Sequence, residues 1–141
     1  MRATRPIRKL FGCRLGATSV EFAVAGPILM AMFYGIVEFG HYAWSTIALS
    51  DAAKQGARYA MVHGASSPNP VTAADIAAYV KGRITLLDPN SVNVSATFIP
   101  NNNAGSAVAV TTSYTFVPFL PGFDILGSAQ LAASSQLTIA Q

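Results

Sequence analysis

The chain has 141 residues, room for about one domain, yet 52% of them are hydrophobic and only 11% charged, so lipid or a subunit interface must cover part of its surface. The net charge of +3 is local: Arg2, Arg5, Arg8, Lys9 and Arg14 are five of the nine cations, and residues 17–141 carry four cations against six acids. That remainder excludes a phosphate-neutralising face, so no nucleic-acid partner is expected; with Cys13 the single cysteine, the fold must hold without an internal disulfide.

Residues 1–16 read as a basic leader, and a long helix is expected over 17–63. Its apolar part, Phe22 to Val37, contains sixteen residues without a charge. Sixteen residues rise only about 24 Å, short of the roughly 30 Å hydrocarbon core, so the membrane span is expected to continue past Glu38 and to occupy about 20–44. Tyr42 and Trp44 then form the far aromatic belt. The five leading cations place the N-terminus in the cytoplasm and the C-terminal part in the periplasm or its equivalent. A secretory signal is a poorer reading, because its apolar region would be shorter. A lipidated Cys13 is poorer too, because the apolar region follows the cysteine.

Pro27 falls within the span, where it removes one helical hydrogen bond; Gly26-Pro27 is either a tolerated kink or a place where the helix can stretch. Ala48, Ala52, Gly56 and Ala60 form a row of small residues at every fourth position, suited to close helix packing. The row alone does not distinguish packing on another subunit from packing on the chain's own domain.

Residues 64–141 are expected to form a small extracytoplasmic α+β domain. After the turn-rich stretch 64–71, Thr72-Ala73-Ala74-Asp75 has the form of a capping box with Asp in place of Glu, opening a helix over 72–87 with Ile76, Val80, Ile84 and Leu87 on one face. Three alternating segments follow: Val92, Val94, Ala96 and Phe98; Val108, Val110, Tyr114 and Phe116; and Leu131, Ala133, Leu137 and Ile139. Joined through Asn101–Gly105 and a longer connection from Leu120 to Gly127, they read as a three-stranded antiparallel meander. A sheet apolar on one side needs a cover, and the C-terminal half of the long helix together with helix 72–87 is expected to supply it.

No catalytic constellation or metal-ligand spacing is visible. His63 and Asp51 would lie about 18 Å apart along one helix, too far to cooperate. The expectation is a structural protein and not an enzyme, with no cofactor, no metal and no small-molecule substrate.

The junction of leader and apolar run, Gly16-Ala17-Thr18-Ser19-Val20-Glu21-Phe22, resembles a prepilin peptidase site. The fuller pattern, Gly16, Val20-Glu21-Phe22-Ala23, Pro27, Glu38-Phe39-Gly40 and Gly56-Ala57-Arg58-Tyr59-Ala60, resembles the TadE-like family, minor pilins or pseudopilins of tight-adherence (Tad) pilus systems. Tyr114-Thr115-Phe116-Val117-Pro118 and Leu120-Pro121 echo that family more loosely, and His41 departs from it where arginine is frequent. The resemblance implies a pilin-like fold, cleavage between Gly16 and Ala17, and pairing of Glu21, next to Phe22, with an N-terminal amine. A lone carboxylate near the lipid boundary otherwise snorkels to the interface. It also implies a bacterial inner-membrane location and incorporation in a Tad (Flp-type) pilus used for surface adhesion. The implied partners are other TadE-like or minor pilin subunits, the major pilin, the prepilin peptidase and the membrane assembly platform. The competing expectation is an uncleaved single-span protein with a periplasmic binding or scaffold domain.

Overall fold

The computed structural model describes residues 14–85, 87–119 and 128–140, and of Arg14, Leu15 and Ala17 the backbone only. The leader up to residue 13 and the connection expected from Leu120 to Gly127, apart from its flanks, lie outside the described residues. Five elements follow in chain order: α1 (Arg14–Val62), α2 (Ala73–Arg83), β1 (Val92–Ile99), β2 (Ala107–Phe116) and β3 (Ala129–Thr138). This is the expected α+β arrangement, a long apolar N-terminal helix, a short second helix and a three-stranded antiparallel sheet. Contacts divide the chain into two units that meet at Val37 and Glu38.

In the first unit α1 runs through Pro27 without interruption. Its large side chains, among them Phe22, Ile28, Met30, Phe33 and Ile36, are exposed. A helix that is apolar on every side, with its large side chains exposed, has the character of a lipid-facing segment, and α1 is long and apolar enough to cross a membrane.

In the second unit the remainder of α1 ends at a tied terminus. Its last carbonyls, which have no partner within a helix, are met from several directions: His63 N–H donates to Ala60 O at 3.2 Å and Ala140 N–H to Met61 O at 3.0 Å. His63 Nδ1 donates to Tyr59 O at 2.8 Å. The following turn is then pinned to the β1–β2 hairpin, where Ala65 N–H donates to Asn102 O at 2.7 Å and Asn102 Nδ2 to Val71 O at 3.1 Å.

Helix α2 opens on a complete capping box. Thr72 is its N-cap and accepts from Asp75 N–H, while the Asp75 carboxylate accepts from Thr72 N–H at 2.9 Å and from the Thr72 hydroxyl at 2.7 Å. The helix stops at Arg83, earlier than the expected residue 87, because Ile84 is extended. Ile84, in extended conformation, and Leu87 still reach the core. Asp88 then turns the chain into β1, its side chain accepting from Asn90 N–H and the Ser91 hydroxyl.

The sheet order is β1-β2-β3 with both pairings antiparallel. Val92 faces Tyr114 and Ile99 faces Ala107 in the first ladder; Ala107 faces Thr138 and Phe116 faces Ala129 in the second. In the hairpin between β1 and β2, Gly105 takes φ +87°, the left-handed region that glycine enters without strain. Asn101 Oδ1 accepts from Asn103 N–H and from the Ser106 hydroxyl, closing the turn locally. One face of the sheet, with Val92, Val108, Val110, Phe116 and Leu131, joins Leu49, Ala52, Ala57 and Ala60 of α1 and Ile76 and Val80 of α2 in a single core. The sheet therefore has the cover that its one-sided patterning demanded.

Candidate functional site

Gly16 and Ala17 lie in the first turn of α1, Gly16 exposed. First-turn N–H groups have no helical partner, so this is where the helix frays most readily. Glu21 is exposed one turn further on, and the ring of Phe22 beside it is 78% exposed. A shallow apolar hollow beside Gly26 is lined by Phe22, Ala25, Ile28, Leu29 and Met32. Pro27 is exposed on the same rod.

The small-residue row lies in the second unit. Ala52, Gly56 and Ala60 are buried in the chain's own core, and Ala48 is half-buried at its edge. Gly56 marks the closest approach: a methyl group there would stand 2.5 Å from Val80 Cγ2, 3.1 Å from Val110 Cγ1 and 3.6 Å from Ile76 Cγ2. Within this chain, Gly56 lies against Val80, Val110 and Ile76 of its own domain.

A second polar feature sits at the start of this unit. Glu38 is only 5% exposed; its Oε2 accepts from Phe119 N–H at 3.4 Å, and its Oε1 is buried without a hydrogen-bond partner. One turn on, the His41 ring lies 5.0 Å from that of Phe116 and 5.1 Å from that of Phe119, with Nδ1 buried and unpartnered. Burial of Glu38 is legible in hindsight from spacing. Glu38, Tyr42, Ser45, Leu49, Ala52, Gly56 and Ala60 recur every three or four residues and make one continuous inward stripe, whereas a row drawn strictly every fourth residue drifts off it at Ala48. Thr112 was also missed. It is fully buried on the apolar face of β2, where its hydroxyl donates to Leu49 O at 3.0 Å.

The groove bordered by Trp44, Ile47, Asp51, Arg83 and Thr85 has a volume of about 280 Å³, and its carboxylate is engaged, Gln55 Nε2 donating to Asp51 Oδ2 at 2.6 Å. Among the described residues no group of three or more His, Cys, Asp or Glu side chains could hold a metal ion.

No match was found among curated proteins or among solved structures. Residues 16–58, from the glycine of the junction motif to Arg58 in the packed half of α1, match the family model described as TadE-like protein. Over that segment the match bears out the resemblance read from the sequence.

Proposed function

We propose that this protein is a minor pilin or pseudopilin that takes part in assembling a Tad pilus for surface adhesion, and that it acts by packing and not by catalysis. The observation that carries this reading is the coincidence of the family match over 16–58 with an uncovered apolar helix whose single early acid is Glu21. Such a helix is stable in lipid or among similar helices, and on leaving the bilayer for a filament it exchanges one apolar environment for another. The prepilin peptidase cuts between Gly16 and Ala17, and the amine created on Ala17 of the same or a neighbouring subunit pairs with Glu21. That pairing removes the cost of a lone carboxylate at the lipid boundary, about 2.5–3.5 kcal/mol at a helix centre and less near an end. Before assembly the protein sits in the inner membrane with its C-terminal domain in the periplasm, where it meets other minor pilins, the major pilin and the assembly platform.

Two measurements test this. Mass spectrometry of the protein purified from the membranes of its own host is expected to find Ala17 at the N-terminus; an intact leader would favour the uncleaved anchor with a periplasmic scaffold domain. Glu21→Ala is expected to leave membrane insertion intact and to reduce piliation, and normal piliation would remove the role of the carboxylate.

A further inference from the structure

The apolar residues just beyond the span are not all accounted for by the core. Val117 and Phe119, after β2, are 63% and 71% exposed, and Phe39 on α1 is 64% exposed. Three large apolar side chains exposed this close in sequence or contact to the end of the span call for a partner. Their height along α1 indicates which partner. The twenty residues 18–37 carry only one charge, Glu21, and most of their side chains are exposed; twenty residues rise about 30 Å, the thickness of the hydrocarbon core. A bilayer that covers them has its far boundary near Glu38. Phe119 is tied to that level, with its N–H on the Glu38 carboxylate and its ring beside His41. Trp44, half-exposed, stands about 9 Å higher along the helix, at headgroup depth.

We propose that Phe39, Val117 and Phe119 form a lipid-contact surface that enters the boundary between headgroups and acyl chains next to α1, with Trp44 at its upper edge. The inference rests on the reading of residues 18–37 as the membrane span. It accounts for the burial of Glu38: a carboxylate at this depth would ordinarily reach for water, and here the chain around Phe119 covers it and supplies an N–H. The occupant is the bilayer because Glu38 and Phe39 directly follow the apolar run in sequence, and Phe119 is bonded to Glu38.

The test uses single-tryptophan variants of the full chain in Trp44→Phe background, reconstituted at one copy per phosphatidylcholine–phosphatidylglycerol nanodisc. Phe119→Trp and, as a second probe, Val117→Trp replace exposed side chains and leave the core intact; Ile28→Trp reports on the span. Lipids brominated near the headgroup end of the chains are expected to quench the probes at 119 and 117, and lipids brominated near the chain ends to quench the probe at 28. A quenched probe at 28 with water-exposed probes at 117 and 119, open to acrylamide and indifferent to bromine, overturns the lipid surface and leaves the span standing. No quenching at any of the three overturns both. Probes at 117 and 119 that are shielded from acrylamide yet not quenched by bromolipid mean that protein covers this face, which also overturns the proposal.

Discussion

Replacing Gly56 by alanine sets two opposed effects against each other inside one helix. Alanine is the better helix former, and in an open position the exchange stabilises by about 0.5–1 kcal/mol. Here the new methyl group would meet Val80 Cγ2 at 2.5 Å and Val110 Cγ1 at 3.1 Å. Both valines are fully buried, and a β-branched side chain in a helix has one strongly preferred rotamer, so Val80 cannot simply turn aside. Overpacking of this kind costs about 1–3 kcal/mol, and the shorter contact places Gly56 in the upper part of that range. The expected net effect of Gly56→Ala is a loss of about 1–2 kcal/mol, a fall in Tm on the order of 5–10 °C for a unit of this size. Thermal unfolding of the full chain in detergent micelles can be followed by near-UV circular dichroism, for which the stacked rings of Tyr59 and Tyr79, 4.1 Å apart, provide a tertiary signal. Gly82→Ala, in α2 where an added methyl meets nothing within 4 Å, is the control and is expected to be neutral or slightly stabilising. If Gly56→Ala also proves stabilising, α1 does not pack on Val80 and Val110 as closely as described, and the reasoning fails.

Thr112→Val keeps the shape of a fully buried side chain and removes the hydroxyl that bonds Leu49 O; a loss of about 0.5–1.5 kcal/mol is expected in the same unfolding assay. Thr72→Ala removes the N-cap of α2 and is expected to cost about 1 kcal/mol, read as faster amide exchange in residues 73–76. The Thr72 N–H, and after it the Thr72 hydroxyl, hold the Asp75 carboxyl below its ordinary value. Because the folded value is the lower one, this contribution is fully present above the ordinary aspartate range and is lost as pH falls through the lowered value; an NMR titration is expected to place the Asp75 midpoint below that of Asp75 in Thr72→Ala. Glu21→Gln is expected to behave like Glu21→Ala in a piliation assay, since both remove the charge that would pair with an amine.

Much of the fold was legible because its signals are local or strictly periodic. The capping box at Thr72 and Asp75 concerns four consecutive residues, and the alternation of Val92–Phe98, Val108–Phe116 and Leu131–Ile139 follows directly from the two-residue pleat. What escaped depends on the partner element. Thr112 reads as a polar interruption of an apolar face until Leu49 O is placed above it. Ile84 and Leu87 fit a helical period, yet the helix ends at Arg83 and both still reach the core from beyond it. The small residues of α1 did announce a close approach, but spacing along one helix cannot name what approaches, and Val80 and Val110 supplied the answer. Glu38 was harder still, because a charged residue on the inward stripe contradicts the hydrophobic pattern that defines the stripe, and its cover comes from Phe119, eighty-one residues away.

The C-terminal half of α1 continues an unbroken helix and is part of the second unit's hydrophobic core, a stem packed into its own domain, with Met61 O stitched to Ala140 N–H at its far end. A pull on this stem has no linker in which to dissipate. The force arrives as shear along the interface of α1 with α2 and β2, and many side-chain contacts must slide together before any one yields. A domain built this way is expected to resist a pull on its helix through the close packing around Gly56.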